Sequence, residues 1–357
     1  MRPSHFDALK PICPRCHSGE RIIVPLEISH VAIQNDEYIQ DGIISCSHCQ
    51  TQYPIIDSIP VIVPHIRKYI SDNLLQITAR NDFSPKLEAL IGDASGAGSV
   101  FNNTRHHISS YAWDHYGELM STDSLNHSET VVPGNATVCL TAGLNLLSKP
   151  LQTPSLDIGC AVGRTTFELA TKTNGLTLGI DVNFSMLRIA QQVLQKGDIN
   201  YPLKRLGIIY DQQQYEVLLD NKDKVDFWVC NALALPFDKE SFGSITALNV
   251  LDVCANPRDL LVNIRNTLRQ DGHSILATPY DWATGVPLDN WIGGHAPHLE
   301  HQGNSESLLR ELLTPDKPNA VQKLRLIGEI EHHPWHVRVH ARRTAVYDTH
   351  IVAFEKI

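Results

Sequence analysis

The sequence predicts an α/β fold, a doubly wound and mostly parallel sheet preceded by a small cysteine-rich module, on three observations. LDIGCAVGRTTFELA, at 156–170, is a short apolar run, a tight Gly/Ala turn and then a segment of helical periodicity. LTLGID is a further strand that ends at Asp181, 18 residues past Gly163, where folds of this kind set an acidic residue against a ribose. Near the start, two C-x2-C knuckles, Cys13 with Cys16 and Cys46 with Cys49, stand 29 residues apart.

At 357 residues the chain exceeds one ordinary domain, so two domains are expected. Its 42% hydrophobic and 19% charged residues are those of a globular protein. No apolar run approaches the ~18 residues that cross a bilayer. MRPSHFDALK at the N-terminus lacks the apolar core of a secretory signal, and a cytoplasmic location is expected. The net charge of −9 argues against a broad nucleic-acid footprint, which needs clustered Lys and Arg. Eight cysteines in such a chain read as thiols or metal ligands rather than as a disulfide framework.

The paired knuckles supply the four thiolates of a tetrahedral site, the closed shell in which Zn2+ serves a structural role. A redox C-x-x-C rarely comes in two matched copies. His17 and His48 adjoin the knuckles as turn residues. IIVPL and GIISC read as strands around a polar loop, a zinc-ribbon-like arrangement, and YPIIDSIPVIVP comes next at 53–64. With its cysteine pairs this stretch resembles the Trm112-like zinc module, which accompanies methyltransferases as a partner subunit or a fused domain. That resemblance covers about residues 10–64 and implies a protein partner through the zinc module.

Residues 1–65 are therefore expected to form the module, 66–110 a helical connector with a flexible joint at GDASGAGS, and 111–357 the α/β domain. Within that domain DFWVC, ending at Asn231, SITALNVLDVC and HSILATPY read as further strands, and PRDLLVNIRNTLRQDG as a helix with a glycine stop. HVRVHARR sets His336, Arg338, His340 and Arg342 on one face against Val337 and Val339, and THIVAFEKI is its partner strand.

Both NAD and S-adenosylmethionine carry a ribose for Asp181. Asp157 chooses between them, because a carboxylate at the lip of the turn would repel a pyrophosphate and favour the ammonium of adenosylmethionine. The third glycine of G-x-G-x-x-G is also missing. Strand ends in such sheets carry the ligand, which makes Asp157, Gly159, Cys160, Ala161, Gly163, Arg164, Asp181, Val182, Asn231, Ala232 and Asn249 the candidate cofactor residues.

The domain is similar to class I methyltransferases, which implies a seven-stranded sheet with a C-terminal antiparallel hairpin. YAWDHYG at 111–117, LDIGCAVGRTTFELA, LNVLDVCANP at 248–257, TPYDWATGVPLDNWIGG at 278–294 and RVHARRTAVYDTHIVAF resemble, more narrowly, the C-terminal domain of ovothiol-biosynthesis enzymes. That domain methylates the imidazole of 4-mercaptohistidine. The resemblance implies an acceptor pocket drawn from Tyr111, His115, Tyr116, Asp252, Tyr280, Trp282, Trp291, Arg338 and Tyr347, with Arg338 placed to bind a carboxylate. A zinc module stands where those enzymes carry an iron-dependent sulfoxide synthase, so the expected reaction is methylation, without C–S bond formation, of a small amino-acid-derived acceptor. Asn231 and the run Asp252, Val253, Cys254 depart from the usual family wording.

Methyl transfer needs alignment more than a nucleophilic side chain. If a base takes part, His115 and Asp281 are the candidates. Two other readings remain open at this point: an RNA base methyltransferase that uses the zinc module for recognition, and a non-enzymatic scaffold.

Overall fold

The computed structural model describes residues 1–80, 82–120, 131–298 and 301–357. Helices α1 (Pro3–Leu9) and α2 (Pro14–Gly19) both open on proline, whose missing N–H has no partner to lose in a first turn. They lead into an antiparallel meander of β1 (Leu26–Gln34), β2 (Ile39–Cys46), β3 (Gln52–Ile56) and β4 (Ile59–Ile62). Helices α3 (Ile66–Thr78), α4 (Pro85–Ser95), α5 (Val100–Tyr116) and α6 (Asn135–Leu144) connect it to the doubly wound unit. There β5 (Ser155–Ile158), α7 (Arg164–Thr173), β6 (Thr177–Asp181) and α8 (Phe184–Lys196) alternate, and a hairpin of β7 (Asp198–Leu206) and β8 (Ile209–Glu216) intervenes. Then come β9 (Val225–Cys230), β10 (Phe242–Leu248), α9 (Pro257–Thr267), β11 (Leu268–Thr278), α10 (Ser305–Leu312), β12 (Leu324–His340) and β13 (Arg343–Lys356).

Seven of these strands run in the order β9-β6-β5-β10-β11-β13-β12, with β13 antiparallel to both of its neighbours. Among the described residues the hydrogen-bonded sheet nevertheless has 11 strands. The extra four are the meander, joined by parallel pairing of β4 on β9, with Val61 opposite Val229 and Ile62 opposite Cys230. The cause is legible in β9: VDFWVC is buried along its whole length, and an open edge of that composition would leave a row of unpaired backbone groups on an apolar strand.

Four local expectations change. The helix α9 stops at Thr267, and Gly272 lies inside β11, where a Cβ would come within 2.8 Å of the Gly243 carbonyl. The glycine serves strand packing rather than a helix end. The GDASGAGS joint is a tied corner: Asn102 Nδ2 donates to the Gly92 and Gly96 carbonyls at 2.7 and 2.9 Å, and Ser99 caps α5. Helix α5 then runs through residue 110, so the boundary expected there falls inside it. On β12 it is Arg338 that is buried, because the β7–β8 hairpin lies against α5 and β12. Ser109 Oγ accepts from Lys204 N at 2.8 Å, Tyr215 OH donates to the Tyr116 carbonyl at 3.0 Å, and Ala341 N donates to the Arg205 carbonyl at 3.1 Å. Among the described residues no helix is long and apolar enough to cross a membrane.

Ile62 is wholly buried at the β4–β9 seam. Ile62→Ala should cost about 2–5 kcal/mol. The loss should appear in calorimetry as one lowered transition for the whole chain; an early transition confined to the first 65 residues would contradict a continuous sheet.

Candidate functional site

A cavity of about 670 Å³ opens at the carboxyl ends of β5, β6, β9, β10 and β11. Its floor is the turn after β5. Gly159, Ala161 and Gly163 all take left-handed backbone, with φ of 70°, 49° and 89°. The two glycines have no substitute: a Cβ on Gly159 would meet Val250 Cγ2 at 2.4 Å, and one on Gly163 would meet Phe227 Cζ at 2.6 Å. Tyr116 OH donates to the Val162 carbonyl at 2.8 Å and so braces the turn from α5.

Asp157 lies beneath this turn with its oxygens engaged by Thr165 Oγ1, Thr166 Oγ1 and Thr246 Oγ1, each at 2.7 Å. Burial raises its pKa above the ordinary carboxylate range, and the three hydroxyls oppose that rise. Asp181, at the tip of β6, accepts from Ala161 N at 3.0 Å and Asn183 N at 2.8 Å. Asn231 Oδ1 accepts from Leu233 N at 2.9 Å, which fixes which atom is the oxygen and leaves it one lone pair. Asn249 also has left-handed backbone, φ 54°, and its buried Oδ1 has no hydrogen-bond partner among the described residues. Strained residues at strand ends mark functional sites.

The opposite wall comes from α5, β11 and β13. Tyr111 and His115 face the cavity one helical turn apart, with His107 two turns before His115. Burial, with a smaller contribution from Arg164, pushes the His115 pKa down to about 3. The imidazole is therefore neutral and a poor base, which counts against the role expected of it. Asp252 is the better match: burial lifts its carboxyl to about 6, while Oδ2 accepts from Asp281 N at 2.9 Å. Tyr347 stands beside Asp281, within reach of its carboxylate.

Of the residues read from the sequence, Asp157, Gly159, Ala161, Asp181, Val182, Asn231, Ala232, Asn249, Tyr111, His115, Asp252, Asp281 and Tyr347 line this one cavity. The others stand outside the lining. Cys160 is buried behind the turn, and Gly163 caps α7. Arg164 pairs with Glu118 and Glu168, and Tyr116 supports the turn. Tyr280 turns away to His350 Nδ1 at 2.7 Å. Trp282 and Trp291 stack on each other at 5.6 Å, so they close their own loop. Arg338 is buried under β7. Reasoning from the sequence missed Thr165, Cys230, Asp114 and Trp335, which also line the cavity. The hydroxyl pair just after Gly163 and the aspartate inside YAWDHYG were the available signals.

Residues 156–276, the part of the chain that builds this floor and these strand ends, match the family described as methyltransferase domain. The chain carries a SAM-dependent methyltransferase domain. Methyltransferase GfsG of Streptomyces halstedii is 24% identical over 237 residues, which cover 62% of this chain and 77% of that protein. Among solved structures, YcgJ protein from Bacillus subtilis is similar over 62% of this chain and 98% of its own, with 15% identity and a TM-score of 0.41. A chain of the Haloferax volcanii complex between the Trm112 methyltransferase activator and a methyltransferase is similar over 61% of this chain and 88% of its own, with 12% identity and a TM-score of 0.37.

Beyond the methyltransferase domain's own strands, the Sγ atoms of Cys13, Cys16, Cys46 and Cys49 all lie within 4.8 Å of one another. Cys13 and Cys49 are 3.6 Å apart, and Cys16 and Cys46 3.8 Å. A tetrahedral S4 shell with metal–sulfur bonds of about 2.3 Å has edges of about 3.8 Å, so the cluster fits one. The module is tied to the methyltransferase domain by Ile12 N on the Pro236 carbonyl at 2.8 Å and by Arg2 N on Asp226 Oδ2 at 2.8 Å.

Asp114 gives the site a measurable titration. It accepts from Asn135 N at 3.0 Å, Asn135 Nδ2 at 3.1 Å and Trp335 Nε1 at 3.1 Å, yet burial lifts its pKa to about 7. With the folded value above the unfolded one of about 3.9, its contribution to stability is full below about pH 4 and is lost as pH rises through about 7. Asp114→Asn, neutral throughout, should gain stability relative to the parent between about pH 5 and about pH 8. Denaturant midpoints that keep a constant difference across that range would contradict this assignment.

Proposed function

We propose that the enzyme methylates a nitrogen of a small, amino-acid-derived acceptor that carries an imidazole, and that Cys13, Cys16, Cys46 and Cys49 hold a structural Zn2+. One observation carries the first half: among the described residues lining the cavity there is no lysine or arginine. A polynucleotide held by its phosphates needs such groups, so the RNA reading loses its footing, in keeping with the net charge of −9. The similarity of YAWDHYG and TPYDWATGVPLDNWIGG to imidazole-methylating domains supports the acceptor class.

The residues present fit adenosylmethionine. Asp181 would take the ribose hydroxyls, Asn231 the adenine, and the open turn at 159–161 the amino-acid end, over the negative charge of Asp157. The bound cofactor supplies a methyl group on a positive sulfonium, a leaving group that needs no acid.

The chain's own task is then to exclude water and align the acceptor nitrogen, which supplies up to about 7–11 kcal/mol of rate enhancement without a nucleophile. Tyr111, His115 and Tyr347 wall the acceptor side. The neutral His115 can hydrogen-bond an acceptor without repelling it. Asp252, with its raised affinity for protons, can receive the proton that the other ring N–H sheds once the attacking nitrogen is methylated.

Purified chain incubated with adenosylmethionine and imidazole-bearing amines or amino acids should yield a product heavier by one methyl group in mass spectrometry. Asp181→Ala should weaken adenosylhomocysteine binding by about tenfold to a hundredfold in calorimetry. Unchanged affinity would remove Asp181 from the cofactor site, and no methylated product from any imidazole would defeat the acceptor assignment.

A further inference from the structure

Five aspartates line the cavity, and three of them are spoken for inside the protein. Asp157 is held by three threonine hydroxyls, Asp114 by Asn135 and Trp335, and Asp181 by two amides of the cofactor turn. Asp252 and Asp281 differ. Asp252 is 3% exposed, and its Oδ1 has no hydrogen-bond partner among the described residues. Asp281 is exposed on the cavity rim beside Tyr347. Across from them His115 is 5% exposed and also lacks such a partner at Nδ1, and Asn249 Oδ1 is buried and unpartnered.

Among the described residues no cation balances this corner. Arg164, on the α5 side, is engaged by Glu118 and Glu168 and lies outside the lining. Arg343 comes near Tyr347 but is also outside it. Arg338, the side chain read from the sequence as a carboxylate partner, is buried under β7. A carboxylate or phosphate brought to this corner would meet two carboxylates and no counter-charge. An ammonium would meet two carboxylates: Asp252, whose Oδ1 the fold leaves open while Oδ2 accepts from Asp281 N, and Asp281, exposed on the rim beside Tyr347.

We propose that the methyl acceptor is a cation, an imidazole-bearing amine with no free carboxylate, and that Asp252 and Asp281 bind its ammonium. The reacting imidazole nitrogen stays neutral, as an attacking lone pair requires, and the positive charge that anchors the molecule sits on the amine. The proposal rests on the small-acceptor reading above and narrows it.

The test is calorimetric titration of the full chain, saturated with adenosylhomocysteine, by four probes: histamine, histidine, imidazole-4-acetate and propylamine. Histamine should bind at least about tenfold more tightly than histidine or imidazole-4-acetate. Asp252→Asn and Asp281→Asn should each weaken histamine by about tenfold or more while leaving adenosylhomocysteine affinity within about twofold of the parent. Propylamine equal to histamine, with both sensitive to the two variants, would keep the ammonium site and defeat the imidazole reading. Histidine or imidazole-4-acetate equal to histamine, histamine indifferent to both variants, or no binding by either amine would overturn the proposal.

Discussion

Parallel pairing of Val61 and Ile62 with Val229 and Cys230 is the contact through which the first 65 residues enter the enzyme. It converts a small meander and a nucleotide-type sheet into one 11-stranded surface. It also sets the direction of the next helix. Helix α3 leaves β4 directly and brings Tyr69 OH to the Val182 carbonyl at 2.8 Å, beside the carboxylate read as the ribose partner. Arg188 of α8 closes the same joint, donating to the Gln76, Ile77 and Ala79 carbonyls at the end of α3 and to Asp57 at the β3–β4 turn. Apolar packing ties the thiol cluster to β9 as well: Cys13, Cys16 and Cys46 share one buried core with Ile62 of β4 and with Trp228 and Cys230 of β9.

The second determinant is electrostatic. The cavity combines deep burial with several carboxylates, and burial acts on each in proportion to what else holds it. Three hydroxyls keep Asp157 committed to the turn, whereas Asp252, with fewer donors, is lifted to about 6. The same desolvation leaves His115 neutral. Acid–base character in this wall is therefore assigned by environment and not by residue type: the carboxylate acquires the affinity for protons usually associated with a histidine, and the histidine loses it.

Local periodicity and turn chemistry made much of this legible in advance. A strand, a left-handed turn and a helix at 156–170 need only short-range sterics, and so do an acidic residue at the end of the next strand and four cysteines in two knuckles. The features that stayed hidden depend on contacts distant in sequence. Nothing local in IPVI says that it will meet VDFWVC, and the polar run of Gln212, Gln213 and Gln214 masked the hairpin that buries Arg338. Trp282 and Trp291 read equally well as a pocket wall or as ordinary packing; they stack on each other over Gly294, where a Cβ would come within 3.0 Å of Trp282 Nε1 and 3.3 Å of Trp291 Cε3. Asp157 reads from the sequence as a carboxylate that favours an ammonium, directly or through water, and its three threonine partners come from α7 and β10, elements whose meeting only the sheet order dictates.

The central claim, that the four-cysteine module and the cofactor site form one mechanical unit, is tested most directly by hydrogen exchange across 225–231 combined with adenosylhomocysteine titration, before and after chelation of the Zn2+ proposed at the four thiols. The account predicts that metal loss speeds exchange in β9 and weakens adenosylhomocysteine binding together. Unchanged protection in β9 with unchanged affinity after chelation would contradict it.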